Sequence, residues 1–205
     1  MRSLRAILLL FPVFLLLFPV FAAAEDATMI EWSPARPLAW DDFQGAVPSG
    51  AAPERVAAAN TSLSWSYAYE VEWSRGTCTF RIMSIESAAG FHPEGSWARP
   101  NHRTPDVLLH EQGHFDITRL HYVEFVERTR GLIGDTRECR GSSERRAKRN
   151  AESEIARLAG TVYEGVWREY RREQEAYDDE TRHGIDTGTQ AEWTRRIAER
   201  LGRTD

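Results

Sequence analysis

The chain is 205 residues long and carries 26 Lys and Arg against 31 Asp and Glu, a formal charge of −5 near pH 7. That balance does not advertise nucleic-acid binding, and no nucleic-acid partner is expected. No internal repeat, low-complexity tract or Pro/Ser-rich linker divides the chain after its leader, so residues 25–205 suit one domain large enough for a proper core.

The leader comes first. Arg2 and Arg5 precede an apolar run over residues 6–21, followed by Ala22-Ala23-Ala24-Glu25. Charged, hydrophobic and small-residue regions in that order predict a signal peptide over residues 1–24, cut after Ala24. Pro12 and Pro19 interrupt the run and argue against a membrane anchor, and no cysteine near the cut offers a lipid attachment. The expected product is exported, periplasmic or secreted, with no membrane association after cleavage. It is more acidic than its precursor, because Arg2 and Arg5 are lost. Its two cysteines, Cys78 and Cys139, suit a disulfide in an oxidising compartment, and they lack the CxxC spacing of a thiolate zinc site.

Residues 32–45, WSPARPLAWDDFQG, are rich in Pro and aromatics and are expected to add a short strand or to pack across a sheet. From Leu63 to Trp73 apolar residues (Leu63, Trp65, Tyr67, Tyr69, Val71, Trp73) alternate with small or charged ones, the period of a half-buried strand. A turn at Ser74-Arg75-Gly76-Thr77 leads into a second alternation at Cys78, Phe80 and Ile82, which together predict a β-hairpin. Residues 86–103 hold Gly90, Pro93, Gly95 and Pro100 and read as a loop.

A helix follows, with Thr104 as N-cap, Pro105 at its first position and Gly131 at its end. Its apolar residues, including Val107, Leu109, Ile117, Leu120 and Phe125, point in many directions, as in a helix buried on most sides. A second long helix is expected over residues 143–177. Ala151, Ile155, Leu158, Val162, Val166 and Tyr170 form its buried stripe, and Arg and Glu cover a solvated face. The segment YDDETRHG, residues 177–184, reads as a tight polar turn. Thr189-Gln190-Ala191-Glu192 then forms a capping box for a short last helix bearing Trp193, Ile197 and Leu201.

The chemistry-bearing pattern is HEQGH, residues 110–114, inside the first helix. Residues four apart stand nearly above one another, about 6 Å along the axis, so His110 and His114 can bind one metal ion. Glu111, about 100° round the helix, is placed to act as general base on a water rather than as a ligand. Catalytic zinc commonly takes three protein ligands and leaves a position for water. His121 is excluded as the third, because seven residues put it about 10 Å from His114 along the axis, against bonds of about 2 Å. The residues leave open Glu152 or Glu154 on the second helix, His183 beyond it, and His92 or His102 before the motif, with His183 slightly favoured by its setting.

Several separated stretches together resemble an uncharacterised group of bacterial exported proteins described as predicted secreted zinc-dependent proteases. They are LAWDDFQG, Ser96-Trp97, LLHEQGHFDI, YDDETRHG, and then Gln190 and Trp193, and they span nearly all of the mature chain. The resemblance implies a zincin-like α+β fold, with a small antiparallel sheet packed on the central HExxH helix and a second long helix. It implies metallopeptidase activity with one zinc ion, and it favours His183 as third ligand through a YDxxTxHG signature. In that setting Tyr177 and Asp178 would position His183 or stabilise an oxyanion, and Asp116 would serve helix packing or support the ligands from behind.

The reading is a zinc-dependent peptidase with Glu111 as base, Tyr177 assisting, and His110, His114 and His183 on zinc. Its partner is a peptide or protein substrate, or peptidoglycan, held along an exposed hairpin strand. The alternatives are a zinc-dependent cell-wall amidase and a non-catalytic envelope protein with a structural zinc site.

Overall fold

The structure, a computed structural model, describes residues 29–74 and 76–202, and the leader expected at residues 1–24 lies outside them. The fold is α+β, built around a long hairpin of β3 (Thr61–Ser74) and β4 (Thr77–Phe91), paired from Ser74↔Thr77 back to Thr61↔Phe91. On the other side of β4 lie β1 (Ile30–Glu31) at one end and β6 (Thr136–Cys139) at the other. Cys78 and Cys139 are direct partners in the β4–β6 ladder and are joined by a disulfide. The bridge spans a separation of 61 residues, and restricting the unfolded chain over such a loop is worth about 4 kcal/mol. A separate two-stranded sheet pairs β2 (Ala57–Ala58) with β5 (Trp97–Ala98).

The expected loop over residues 86–103 is corrected in its first part, because β4 continues to Phe91. The register shifts from Tyr69↔Ile82 to Ala68↔Ser84, leaving Met83 as the extra residue of a bulge. A bulge exchanges the inward and outward phases of a strand. Cys78, Phe80 and Ile82 face inward before it, while Ala89 and Phe91 are buried after it. The alternation that seems to end at Ile82 has changed phase.

Helix α1 (Pro105–Thr129) is capped by Thr104, whose Oγ1 accepts from the Val107 N–H at 3.3 Å. It is covered on several sides. Phe115 packs with Leu38, Phe43 and Phe91, Ile117 and Leu120 face the C-terminal helices, and Phe125 meets Leu63. The aromatic N-terminal segment pins it from outside. Trp32 Nε1 donates to Asp116 at 2.8 Å, and the Leu38 N–H donates to Gln112 Oε1 at 2.7 Å.

Helix α2 (Glu144–Thr181) has 38 residues and is about 57 Å long at 1.5 Å per residue. Its first half lays Ala151 and Ile155 on Phe80 and Ile82 of the hairpin; its second half lays Tyr170 and Tyr177 on α1 and α3. It runs four residues beyond Tyr177, so Tyr177 and Asp178 sit on the helix and not in a turn. Only Arg182, His183 and Gly184 leave it, all left-handed, with φ of 52°, 55° and 79°. The last helix, α3 (Thr187–Leu201), also begins earlier than the capping box suggested: Asp186 is the cap, its Oδ1 accepting from the Thr189 N–H at 3.0 Å. No helix among the described residues is long and apolar enough to cross a membrane.

Candidate metal centre

One turn of α1 presents two imidazoles side by side, with His110 Nε2 and His114 Nε2 3.2 Å apart. The last turn of α2 brings Asp178 against both, its Oδ1 3.1 Å from each nitrogen. These three atoms all lie within 4.8 Å of one another. A metal bonded to imidazole and carboxylate at roughly 2.0–2.1 Å in tetrahedral geometry holds its ligands about 3.3 Å apart. The observed spacings fit that shell.

The outer ring nitrogens decide which atoms point inward. Gln174 donates its Nε2–H to the His114 carbonyl at 2.9 Å, so its Oε1 is left to accept from His114 Nδ1 at 2.5 Å. Gln190, on α3, donates to the Tyr177 hydroxyl, so its Oε1 accepts from His110 Nδ1 at 3.0 Å. In the neutral rings both Nδ1 atoms therefore carry the hydrogen, and each Nε2 turns a lone pair toward the Asp178 oxygen. Three acceptors facing one another are costly without a cation among them. Such outer-shell fixing of the tautomer is what metal-ligating histidines require.

Tyr177 completes this support. Its ring stacks on His110 at 4.7 Å and 14°, meets His114 edge-on, and its hydroxyl donates to the His110 carbonyl at 3.1 Å. It is fully buried, which makes it a buttress of the two imidazoles, placed behind them. Two glycines permit the packing. At Gly113, the fourth residue of HEQGH, a Cβ would collide with the Tyr177 hydroxyl; at Gly184, where φ is +79°, it would lie 2.9 Å from His110 Cβ.

Glu111 is buried, and its Oε2 accepts from the Ala59 N–H at 2.6 Å. Burial raises its carboxyl above the usual range, although the neighbouring His114 and His110 pull it down. Burial also pushes Asp178 up, but the adjoining imidazoles of His110 and His114 outweigh it and hold that carboxyl well below the usual range. His114 moves upward despite its burial, chiefly through Asp178 and Glu111.

A cavity of about 190 Å³ opens over these groups. His110, Glu111, His114, Asp178 and His183 line one wall, and Arg55 with residues 57–59 lines the other. That is less than the roughly 300–1,000 Å³ of sites that enclose a whole small ligand, and it suits a segment of something longer.

His183, the expected third ligand, stands beside the three-atom group. Its Nδ1 is 3.2 Å from Asp178 Oδ1 and its side chain is 45% exposed. The other residues held open lie elsewhere. Glu152 accepts from the Tyr69 hydroxyl, Glu154 pairs with Arg157, His92 bonds Ser62 Oγ, and His102 is exposed. His121 sits between Glu124 and Glu173, in agreement with its exclusion by helical rise. Sequence reasoning gave Asp178 only a supporting role, and it gave none to Gln174 or Gln190. Extending the α2 stripe past Tyr170 by three and four residues reaches Gln174, Tyr177, Asp178 and Thr181, which was the available signal.

These elements define an α+β protein whose HExxH helix meets a carboxylate from a second helix in a group able to hold a metal ion. The chain belongs to the family described as "Bacterial protein of unknown function (DUF922)", whose model matches residues 39–184. The match contains HEQGH and ends at Gly184, before α3 and Gln190. Comparison with curated proteins gives no match, and comparison with solved structures gives none either.

Proposed function

We propose that this protein is an exported, zincin-like metallopeptidase that hydrolyses peptide bonds, with one zinc ion held by His110, His114 and Asp178. The observation that carries this reading is the convergence of two Nδ1-tethered imidazoles and one carboxylate oxygen beside a buried glutamate, in a cavity bordered by a strand. When bound, zinc would supply a Lewis acid and a water acidified toward neutrality.

Each remaining role belongs to a side chain of this chain. Glu111 takes the proton of the attacking water and returns it to the leaving amine, and its raised pKa favours that return. Its bond to the Ala59 N–H fixes the carboxylate against the substrate wall. His183, tied to Asp178 through Nδ1, lines the cavity as a hydrogen-bond donor toward the oxygen that gains charge. Tyr177 serves this reading as a positioning residue. The substrate wall is β2, which pairs with β5 on one side and borders the cavity, so an extended peptide adds to it by edge pairing. β2 takes the role first expected of the hairpin strand.

The test is zinc content together with hydrolysis of casein and of purified cell wall by the wild type and Glu111→Gln. The reading expects one zinc in both proteins, and cleavage of casein that is lost in the variant. Cleavage confined to cell wall would move the substrate class, and full activity in the variant would remove Glu111 as base.

A further inference from the structure

Side chains of the cavity leave one charge unanswered. Glu111 and Asp178 bring two negative charges, which a divalent ion would neutralise, and Arg55 on the opposite wall remains. Its side chain is exposed and has no acidic partner among the described residues, whereas Arg36, Arg128 and Arg157 each have one.

The backbone that carries Arg55 is nonetheless fixed in place. Arg99 Nε donates to the Arg55 carbonyl at 3.2 Å, and its Nη2 donates to the carbonyls of Ala51 and Ala52 at 3.3 Å. The Arg99 N–H reaches the Val56 carbonyl at 2.8 Å. One guanidinium is thus committed to three backbone oxygens, and the segment it clamps carries Arg55, a residue of the cavity lining. Arg55 lies four residues before Ala59, whose N–H binds Glu111, a separation of about 13 Å or less along an extended chain.

We infer that Arg55 is a specificity-determining residue that recognises a carboxylate of the substrate, carried within about four residues of the bond that is cut. The guanidinium fork matches a carboxylate bidentately, and two sources share that chemistry: a peptide's C-terminus and an Asp or Glu side chain. The inference rests on the peptidase reading above.

The test uses zinc-loaded, full-length Glu111→Gln protein as a trap, with and without Arg55→Gln or Arg55→Lys. It is offered three hexapeptide pools: blocked and free of acidic residues, free at the C-terminus, or blocked with one Glu. Retained peptides are quantified by mass spectrometry, and unchanged melting of the exposed-site variants verifies their fold. One or both carboxylate pools should be retained roughly tenfold over the neutral pool, with the preference lost in Arg55→Gln and partly kept in Arg55→Lys. The pool retained names the source. Equal retention of all pools, or a preference that survives Arg55→Gln, overturns the inference and leaves the peptidase reading standing. No retention of any pool overturns it too, and if the wild type also fails to cleave these peptides the peptidase reading falls with it.

Discussion

Gln190 offers a direct way to separate support of the ligands from ligation itself. It lies on α3, 80 residues from His110 in sequence, yet its amide accepts from His110 Nδ1 and donates to the Tyr177 hydroxyl. In Gln190→Leu both groups stay buried and lose a partner. A buried polar group left unsatisfied costs about 1–3 kcal/mol; the Tyr177 hydroxyl still donates to the His110 carbonyl, so the loss falls mainly on His110 Nδ1 and should lower folding stability by about that amount. Loss of an outer-shell partner typically weakens metal binding by about 10–100-fold. Gln190→Glu returns an acceptor to Nδ1 and should recover most of the affinity without restoring the bond to Tyr177. Urea denaturation gives the first quantity, and competition for zinc against a chelator gives the second. Zinc affinity unchanged in Gln190→Leu would refute the argument that the tethered Nδ1 atoms prepare the Nε2 atoms for a metal.

Other perturbations test other parts of the site. His183→Ala should keep one zinc per chain while peptidase kcat falls by about 10²–10³, and loss of the zinc would show that His183 is a ligand. Gly113→Ala drives a methyl group into the Tyr177 hydroxyl and should destabilise by about 1–3 kcal/mol, as read by denaturant midpoint. Acid stability should turn on Glu173. Burial pushes its carboxyl up, but hydrogen bonds from His121 and Arg200 outweigh this and hold it at about 2. Because that lies below the unfolded value of about 4.3, its contribution of about 3 kcal/mol is complete above that pH and is lost as pH falls toward 2. Denaturation of Glu173→Gln across that window should show a flatter decline than the wild type.

Much of this architecture is legible in the chain. The first hairpin strand, the Thr104 cap, both long helices and the pairing of Cys78 with Cys139 follow from local patterns, and HEQGH supplies two convergent imidazoles by helical spacing alone. The misreadings have physical reasons. A bulge at Met83 exchanged the faces of β4, so the alternation stopped where the strand did not. The polar run YDDETRHG reads as a turn from Tyr177 onward, but α2 continues to Thr181 and the left-handed residues begin at Arg182, so Asp178 stays on the helix and is aimed at α1. Neither the choice of Asp178 over Asp179 nor the reach of Gln174 and Gln190 follows from local sequence. Each depends on the rotational phase at which α2 and α3 pack against α1.

The central claim is a metal held by His110, His114 and Asp178, and elemental analysis of zinc-equilibrated, dialysed protein tests it most directly. The wild type should retain one zinc per chain and Asp178→Ala should retain almost none, with the fold of both verified by circular dichroism. A wild type that retains no zinc, or an Asp178→Ala protein that binds one as tightly as the wild type, would contradict the assignment.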